Sequence, residues 1–577
     1  MAAQRTRLWF YRFLAAACLL AVLEGRGAGQ TSLAEPIYLR GVTALHQFEY
    51  EDANEAFQQA RRTDPGFVMA YWGEAMTYNQ TLWRNEDVQA GRQVLAHLDA
   101  TPAARRARAA TPRVRGFLAA VEALFADGDA ETRHRRYADE MAQLYQRLPD
   151  DADVASFYAL ALLGTMSRGL IGHGDTHEGH SQALAGSDTQ SRVSEILGRV
   201  LRAHPEHQGA LHYLLHNNDD PEHAHLALDA ARRLATLAPD SSHARHMPSH
   251  IFLQLGLWHD AADSDRAAFA ASEAWVQRKQ LNPALRSYHA LSWLQYELLQ
   301  LGRRQEAWAT LDQIAPIVAS SKSLTLLSDL STMRARYVVE SADWPRLANE
   351  STFGNVNELC AIGMSAARMG NVDLAERARL GLAQRAQDPR EGDLRPAAVI
   401  MEREVAALLA FRAGRGADAV VILQAAAQSE AQLPAPLGLP EPIKPAPELL
   451  GEVLIELGRG AEAVEPFELA LRRNPNRSLS VLGLARASAA AQKPEVARRH
   501  YAAWLANMDR ADADLPALAE AHAALAGPEQ ASHLLLRPRL LVPAAFAVLL
   551  AIALVLRKQK KGPVARAPRK KSANRLR

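Results

Sequence analysis

Imidazole is the side chain of this sequence whose placement best suggests chemistry. Nine of the 20 histidines lie within residues 204–250, far above an even scatter along 577 residues. His212 and His216 are four residues apart, as are His246 and His250, so each pair shares one helix face. The two pairs stand 34 residues apart. Asp219 follows His216 by three residues and His243 precedes His246 by three, which keeps both near those faces. His289 shares the phase of His243 if Gly256 and Gly302 mark equivalent turns. Neutral imidazole binds Zn, Cu, Fe or Ni. His212, His216, Asp219, His243, His246, His250 and His289 are therefore candidate ligands for a divalent transition metal. Two other readings fit the same residues: a polar groove for a protein, peptide or small ligand, and a hydrogen-bond network between neighbouring helices.

Weaker candidates lie elsewhere. His173, His177 and His180, with Asp175 and Glu178 between them, fall in a Gly-, His-, Ser- and Asp-rich stretch. That stretch reads as a loop, either solvated or folded over the groove. Trp72, Met76 and Asn79 share a helix face and line either a groove or a core. The chain has no Gly-x4-Gly-Lys-Ser/Thr, Gly-x-Ser-x-Gly, His-Glu-x2-His or Cys-x2-Cys string, so spacing alone names no catalytic residue. A binding module is expected rather than an enzyme. Only two cysteines, Cys18 and Cys360, are present, which excludes a disulfide scaffold or a cysteine-ligated cluster.

The elements that carry these residues are repeats. Gly41, Ala53, Phe57, Ala60 and Pro65 recur with the same spacing as Gly451, Ala463, Phe467, Ala470 and Pro475. This resembles the tetratricopeptide repeat, a 34-residue helix–turn–helix unit with small residues where paired helices touch. Gly256, Gly302, Gly370 and Gly414 each precede an alanine by five residues, marking further turns. The expected fold is an all-α solenoid of the tetratricopeptide type, with one histidine pair on the first helix of each of two adjacent repeats. Pro248 requires that its helix begin within about four residues before it.

The run His212-Tyr-Leu-Leu-His216-Asn-Asn-Asp219, with His243-Ala-Arg-His246-Met-Pro-Ser-His250, resembles an uncharacterised family of bacterial exported tetratricopeptide proteins. Asp64-Pro65 through Ala70-Tyr-Trp-Gly-Glu74-Ala-Met76 resembles that family's N-terminal block. The chain departs at Gln80, where the family carries His. The resemblance spans most of residues 35–510, implies that the histidines line the solenoid's concave groove, and carries no established reaction.

The ends suggest a location. Arg5, Arg7 and Arg12 precede an apolar stretch, so residues 1–30 read as a signal peptide. Residues 540–556 are uncharged and are followed at 557–577 by ten cations and no acid, the pattern of a single transmembrane helix with a cytoplasmic tail. The expectation is a solenoid on the extracytoplasmic side of the cell membrane, divided into 31–432, a proline-rich connection at 433–447, and C-terminal repeats at 448–536. Residues 31–556 then carry a net charge of −11, which argues against nucleic acid as a partner. A protein or peptide partner is expected, with the membrane contacted through the C-terminal helix.

Overall fold

The computed structural model describes residues 32–83, 85–166, 188–350, 352–434 and 436–535. Apart from a two-residue hairpin, Asn79–Gln80 against Asn85–Glu86, its regular elements are helices. They pair along the chain as antiparallel helix–turn–helix units, each stacked on the next. The last described helix, Pro516–Leu535, belongs to a separate compact unit.

Repeat spacing becomes packing through single rings. Phe57 lies between Gly41 and Gly73, and Phe467 between Gly451 and Gly483. A Cβ on Gly41 would stand 2.7 Å from the Phe57 ring, and one on Gly451 2.6 Å from the Phe467 ring. Glycine is thus required because a ring occupies the space of a side chain. The turn glycines Gly256, Gly302, Gly370 and Gly414 all have positive φ, from 65° to 85°, so they end helices where other residues would be strained.

Six helices position the histidines: α1 (Glu35–His46), α2 (Gln208–Asn217), α3 (Ala224–Leu237), α4 (Ser242–Gln254), α5 (Trp258–Lys279) and α6 (Tyr288–Gln300). Ser241 caps α4 by accepting from the Ala244 N–H, and Ser287 caps α6 in the same way through Ala290. Pro248 sits six residues after the start of α4, deeper than a first-turn proline, contrary to the expectation. Its cost is a lost helical hydrogen bond. The carbonyls that follow carry added hydroxyl contacts: Ser264 donates to Arg245 O at 2.5 Å and Ser249 to His246 O at 2.7 Å.

Two large apolar cores fill most of the stack, beside a small one at Ile400, Ala426, Ala427 and Ala446. One gathers residues from Ala34 to Ala261, the other from Leu253 to Ala487, and α4 contributes to both. Later repeats also meet earlier turns. Trp258 Nε1 donates to Asn476 O at 2.8 Å, and Asp512 N to Gly302 O at 3.1 Å. The proline-rich segment is held by its carbonyls: Gln254 donates to Pro436 O at 2.9 Å and Arg473 to Pro434 O at 2.8 Å.

The membrane part of the expected fold class is corrected. Among the described residues no helix is long and apolar enough to cross a membrane. The single-pass location drawn from that span is corrected on the same finding. The signal peptide at 1–30, the span at 540–556 and the tail at 557–577 lie outside the described residues.

Candidate metal centre

The seven candidates do not converge on one point. The structure sorts the six histidines into two sets built by one rule. His212 and His216 of α2 meet His243 from the first turn of α4; His246 and His250 of α4 meet His289 from the first turn of α6. Each set thus takes a His-x3-His pair from one helix and a third imidazole from the first helix of the next unit. Within each set one ring nitrogen per residue lies within 4.8 Å of the others.

In the second set His246 Nε2 lies 2.9 Å from His250 Nε2 and 3.1 Å from His289 Nε2. The opposite ring nitrogens are held by carboxylates: His246 Nδ1 by Asp265 Oδ1 at 2.5 Å, and His250 Nδ1 by Asp219 Oδ2 at 2.7 Å. An Nδ1 facing a carboxylate is the donor, so in neutral imidazole the Nε2 carries the lone pair. Two such lone pairs 2.9 Å apart repel; a cation shared between them turns the contact into ligation. Nitrogens bound at about 2.0–2.1 Å to one ion stand about 3.0–3.4 Å from each other. The observed separations meet that range with shifts of a few tenths of an ångström. Histidine ligands in metal sites usually carry this outer carboxylate or carbonyl contact.

The first set follows the same logic with weaker support. His212 Nδ1 donates to the His46 carbonyl oxygen at 2.7 Å, leaving its Nε2 as an acceptor 3.1 Å from His216 Nε2. His243 Nε2 is buried without a hydrogen-bond partner. Phe48 packs its ring 4.5 Å from His212 and 5.5 Å from His243. It does so from a left-handed backbone, φ 61°, a conformation costly for an aromatic residue and found where surrounding structure enforces it. Trp293 plays the corresponding part in the second set, with its rings centred 4.3 Å from His250 and 4.9 Å from His246.

Burial tunes four of these imidazoles toward the neutral, ligating form. It pushes His212 down to about 4 and His289 down to about 3. His243 and His246 are held well below the usual histidine range by burial first and then by neighbouring histidines. Behind His246, Asp265 and Glu297 are fully buried. Burial pushes both carboxyls up, and the charge of Asp265 pushes Glu297 further. A proton on Glu297 leaves Asp265 as the acceptor for His246.

A third set shows what a satisfied cluster looks like. His46, Asp153 and His207 also come within 4.8 Å. His207 Nδ1 accepts from the Ala210 N–H at 3.1 Å, capping α2, so its protonated Nε2 points at Asp153, 3.4 Å away. His46 and Arg113 reach the same carboxylate at 3.3 and 2.8 Å. Burial opposes the charge on Asp153, yet His207, His46 and Arg113 hold its carboxyl well below the usual range. Here the hydrogen bonds are directed into a carboxylate and leave no convergent lone pairs.

A cleft of about 240 Å³ is lined by His243 of the first set and His289 of the second, with Phe48, Trp83, Trp275 and Tyr288 among its walls. Trp72 and Met76 are in the core, 1% and 2% exposed, with Trp72 against Phe117 and Phe157. Asn79 is buried in the hairpin and donates to Thr81 Oγ1 at 2.8 Å. None of the three lines this cleft. His173, His177 and His180 lie outside the described residues. Sequence reasoning missed Asp265, Phe48 and Trp293. Trp293 had a signal, since it follows His289 by four residues as His250 follows His246. Asp265 lies on the partner helix 19 residues on, and the left-handed turn of Phe48 left no residue-type mark.

No family model matches the chain, and no curated protein matches it. Solved structures do. The Cut9–Hcn1 assembly of APC/C matches at 15% identity, covering 90% of this chain and 83% of that one, with a TM-score of 0.29. A tetratricopeptide repeat protein from Parabacteroides merdae matches at 16% identity, covering 49% and 97%, with a TM-score of 0.28. Yeast Tom70 matches at 12% identity, covering 88% and 99%, with a TM-score of 0.26. The assignment to an all-α, tetratricopeptide-like solenoid rests on the helices themselves.

Proposed function

We propose that this protein is a histidine-ligated transition-metal protein, in which a helical repeat frame holds two three-histidine sites beside one aromatic cleft. The observation that carries the reading is the convergence of Nε2 atoms from His246, His250 and His289, with two outer Nδ1 atoms fixed on carboxylates. Three neutral imidazoles suit Zn, Cu, Fe or Ni, and three protein ligands leave a position for water or another ligand. The repeat frame acts as a binding scaffold whose innermost ligand is a metal ion, and the cleft admits a partner group to it.

Metal analysis of full-length protein purified without a histidine tag tests this. The expected result is up to two equivalents of a first-row transition metal, lost in the His246→Ala, His250→Ala double variant from one site. Metal-free protein that also fails to take up zinc or cobalt at neutral pH would overturn it.

A further inference from the structure

The two histidine sets share a construction but not a surrounding. At the second set, two of three imidazoles donate outward to carboxylates, Asp265 and Asp219. At the first, His212 donates to a neutral carbonyl. A carboxyl oxygen accepting from the outer ring nitrogen orients the imidazole and makes it a better donor, and a backbone carbonyl gives part of that effect. Exposure differs in the same sense. In the second set His246 and His250 are buried and His289 is half-buried; in the first only His212 is buried, and His216 and His243 are half-buried.

The sets are also neighbours. His243 and His246 are three residues apart on α4, so their Cβ atoms stand about 5–6 Å apart, yet each serves a different set. A divalent ion in one set therefore raises the electrostatic cost of a second ion in the other. The set with two carboxylates behind it fills first.

We infer that the two sites are unequal: His246, His250 and His289 hold a resident divalent transition-metal ion, and His212, His216 and His243 form a weaker, exchangeable site. This rests on the metal reading above and assigns the two sites different work. The resident ion holds α4 to α6.

Cobalt(II) titration of the metal-stripped full chain, followed by its visible absorbance, separates the sites. Wild type is expected to show two events whose affinities differ by at least about tenfold. His246→Ala should keep only the weak event and His216→Ala only the tight one. Asp219→Asn, close to isosteric, should weaken the tight event by about 10–100-fold and leave the weak one in place. Asp265→Asn provides a second test of the same claim should Asp219→Asn lose its helical circular dichroism. Two events of equal affinity in wild type would overturn the inference, as would an Asp219→Asn effect on the event that survives in His246→Ala. Absence of any cobalt binding would overturn the metal reading itself, and this inference with it.

Discussion

Two regions of this molecule bury polar groups in quantity, and they do so in opposite ways. Around Arg477, in the C-terminal repeats, the guanidinium donates to Glu448 at 2.8 and 3.0 Å, to Glu340 at 2.7 Å and to the Tyr296 hydroxyl at 3.1 Å. Lys444 reaches Glu448 at 2.7 Å. Every partner is of opposite charge or complementary polarity. Burial opposes the ionisation of Glu448, yet Arg477 and Lys444 hold its carboxyl down to about 2. Around His246 the like atoms face one another. A buried cluster that satisfies itself is a strut. One whose ring nitrogens converge is stabilised when a cation joins it, and that difference separates a structural network from a binding centre.

The largest expected effect breaks the strut. Arg477→Met leaves Glu448 and Glu340 buried without their cation, which should cost about 3–5 kcal/mol. Calorimetry should show that loss whether or not metal is present. A loss that appears only in metal-loaded protein would place Arg477 in the metal centre instead.

Metal removal should act on the other region alone. A ligand present at about 100–1,000 times its Kd stabilises the folded state by about 2.7–4.1 kcal/mol. Chelation should therefore lower the wild-type Tm, and His246→Ala should lose most of that response. His225→Ala serves as the control, because His225 is exposed and bonds only to the Glu222 carbonyl among its described contacts. An equal chelator response in both variants would detach the stabilisation from the histidine sets.

A smaller effect tests the frame that carries both regions. Gly451→Leu drives a side chain into the Phe467 ring and should cost about 1–3 kcal/mol. Gly460 is buried with Ala490 Cβ 2.7 Å from an added Cβ, so Gly460→Leu is also destabilising and makes a poor control. Gly198, whose nearest atom is the Arg202 guanidinium at 3.6 Å, is the better comparison. Gly198→Ala should leave the Tm unchanged or raised, while Gly451→Leu lowers it.

Smallest of all is the expected response to mild acid. Ordinary histidines, with pKa near 6.5, would each lose about tenfold in neutral form by pH 5.5. Burial lowers His212 to about 4 and His289 to about 3, so at these two ligands protons compete with metal only near those values. Cobalt affinity should hold from pH 7 to 5.5 and fall as pH approaches 4. A fall beginning near 6.5 would mean that the imidazoles are hydrated and the sets open.

What could be read from residues alone follows from what periodicity encodes. The 34-residue offset of His212 and His216 from His246 and His250 placed them on equivalent helices, because repeat phase is a sequence property. It could not divide the six histidines into two sets. That depends on His243 and His289 reaching back to the preceding unit, which is a matter of how units stack. Trp72 and Met76 share a face that reads equally well as groove or core, and only the Phe117 and Phe157 rings across from Trp72 decide it. Asp265 was invisible because its relation to His246 crosses a helix pair.

The central claim is that lone pairs converging from neighbouring units hold an ion. Anomalous diffraction from crystals of cobalt-loaded, untagged protein tests it most directly. The account predicts a peak between His246, His250 and His289, a weaker one between His212, His216 and His243, and none at His46, Asp153 and His207. A peak at the third set with none at the first two would contradict it.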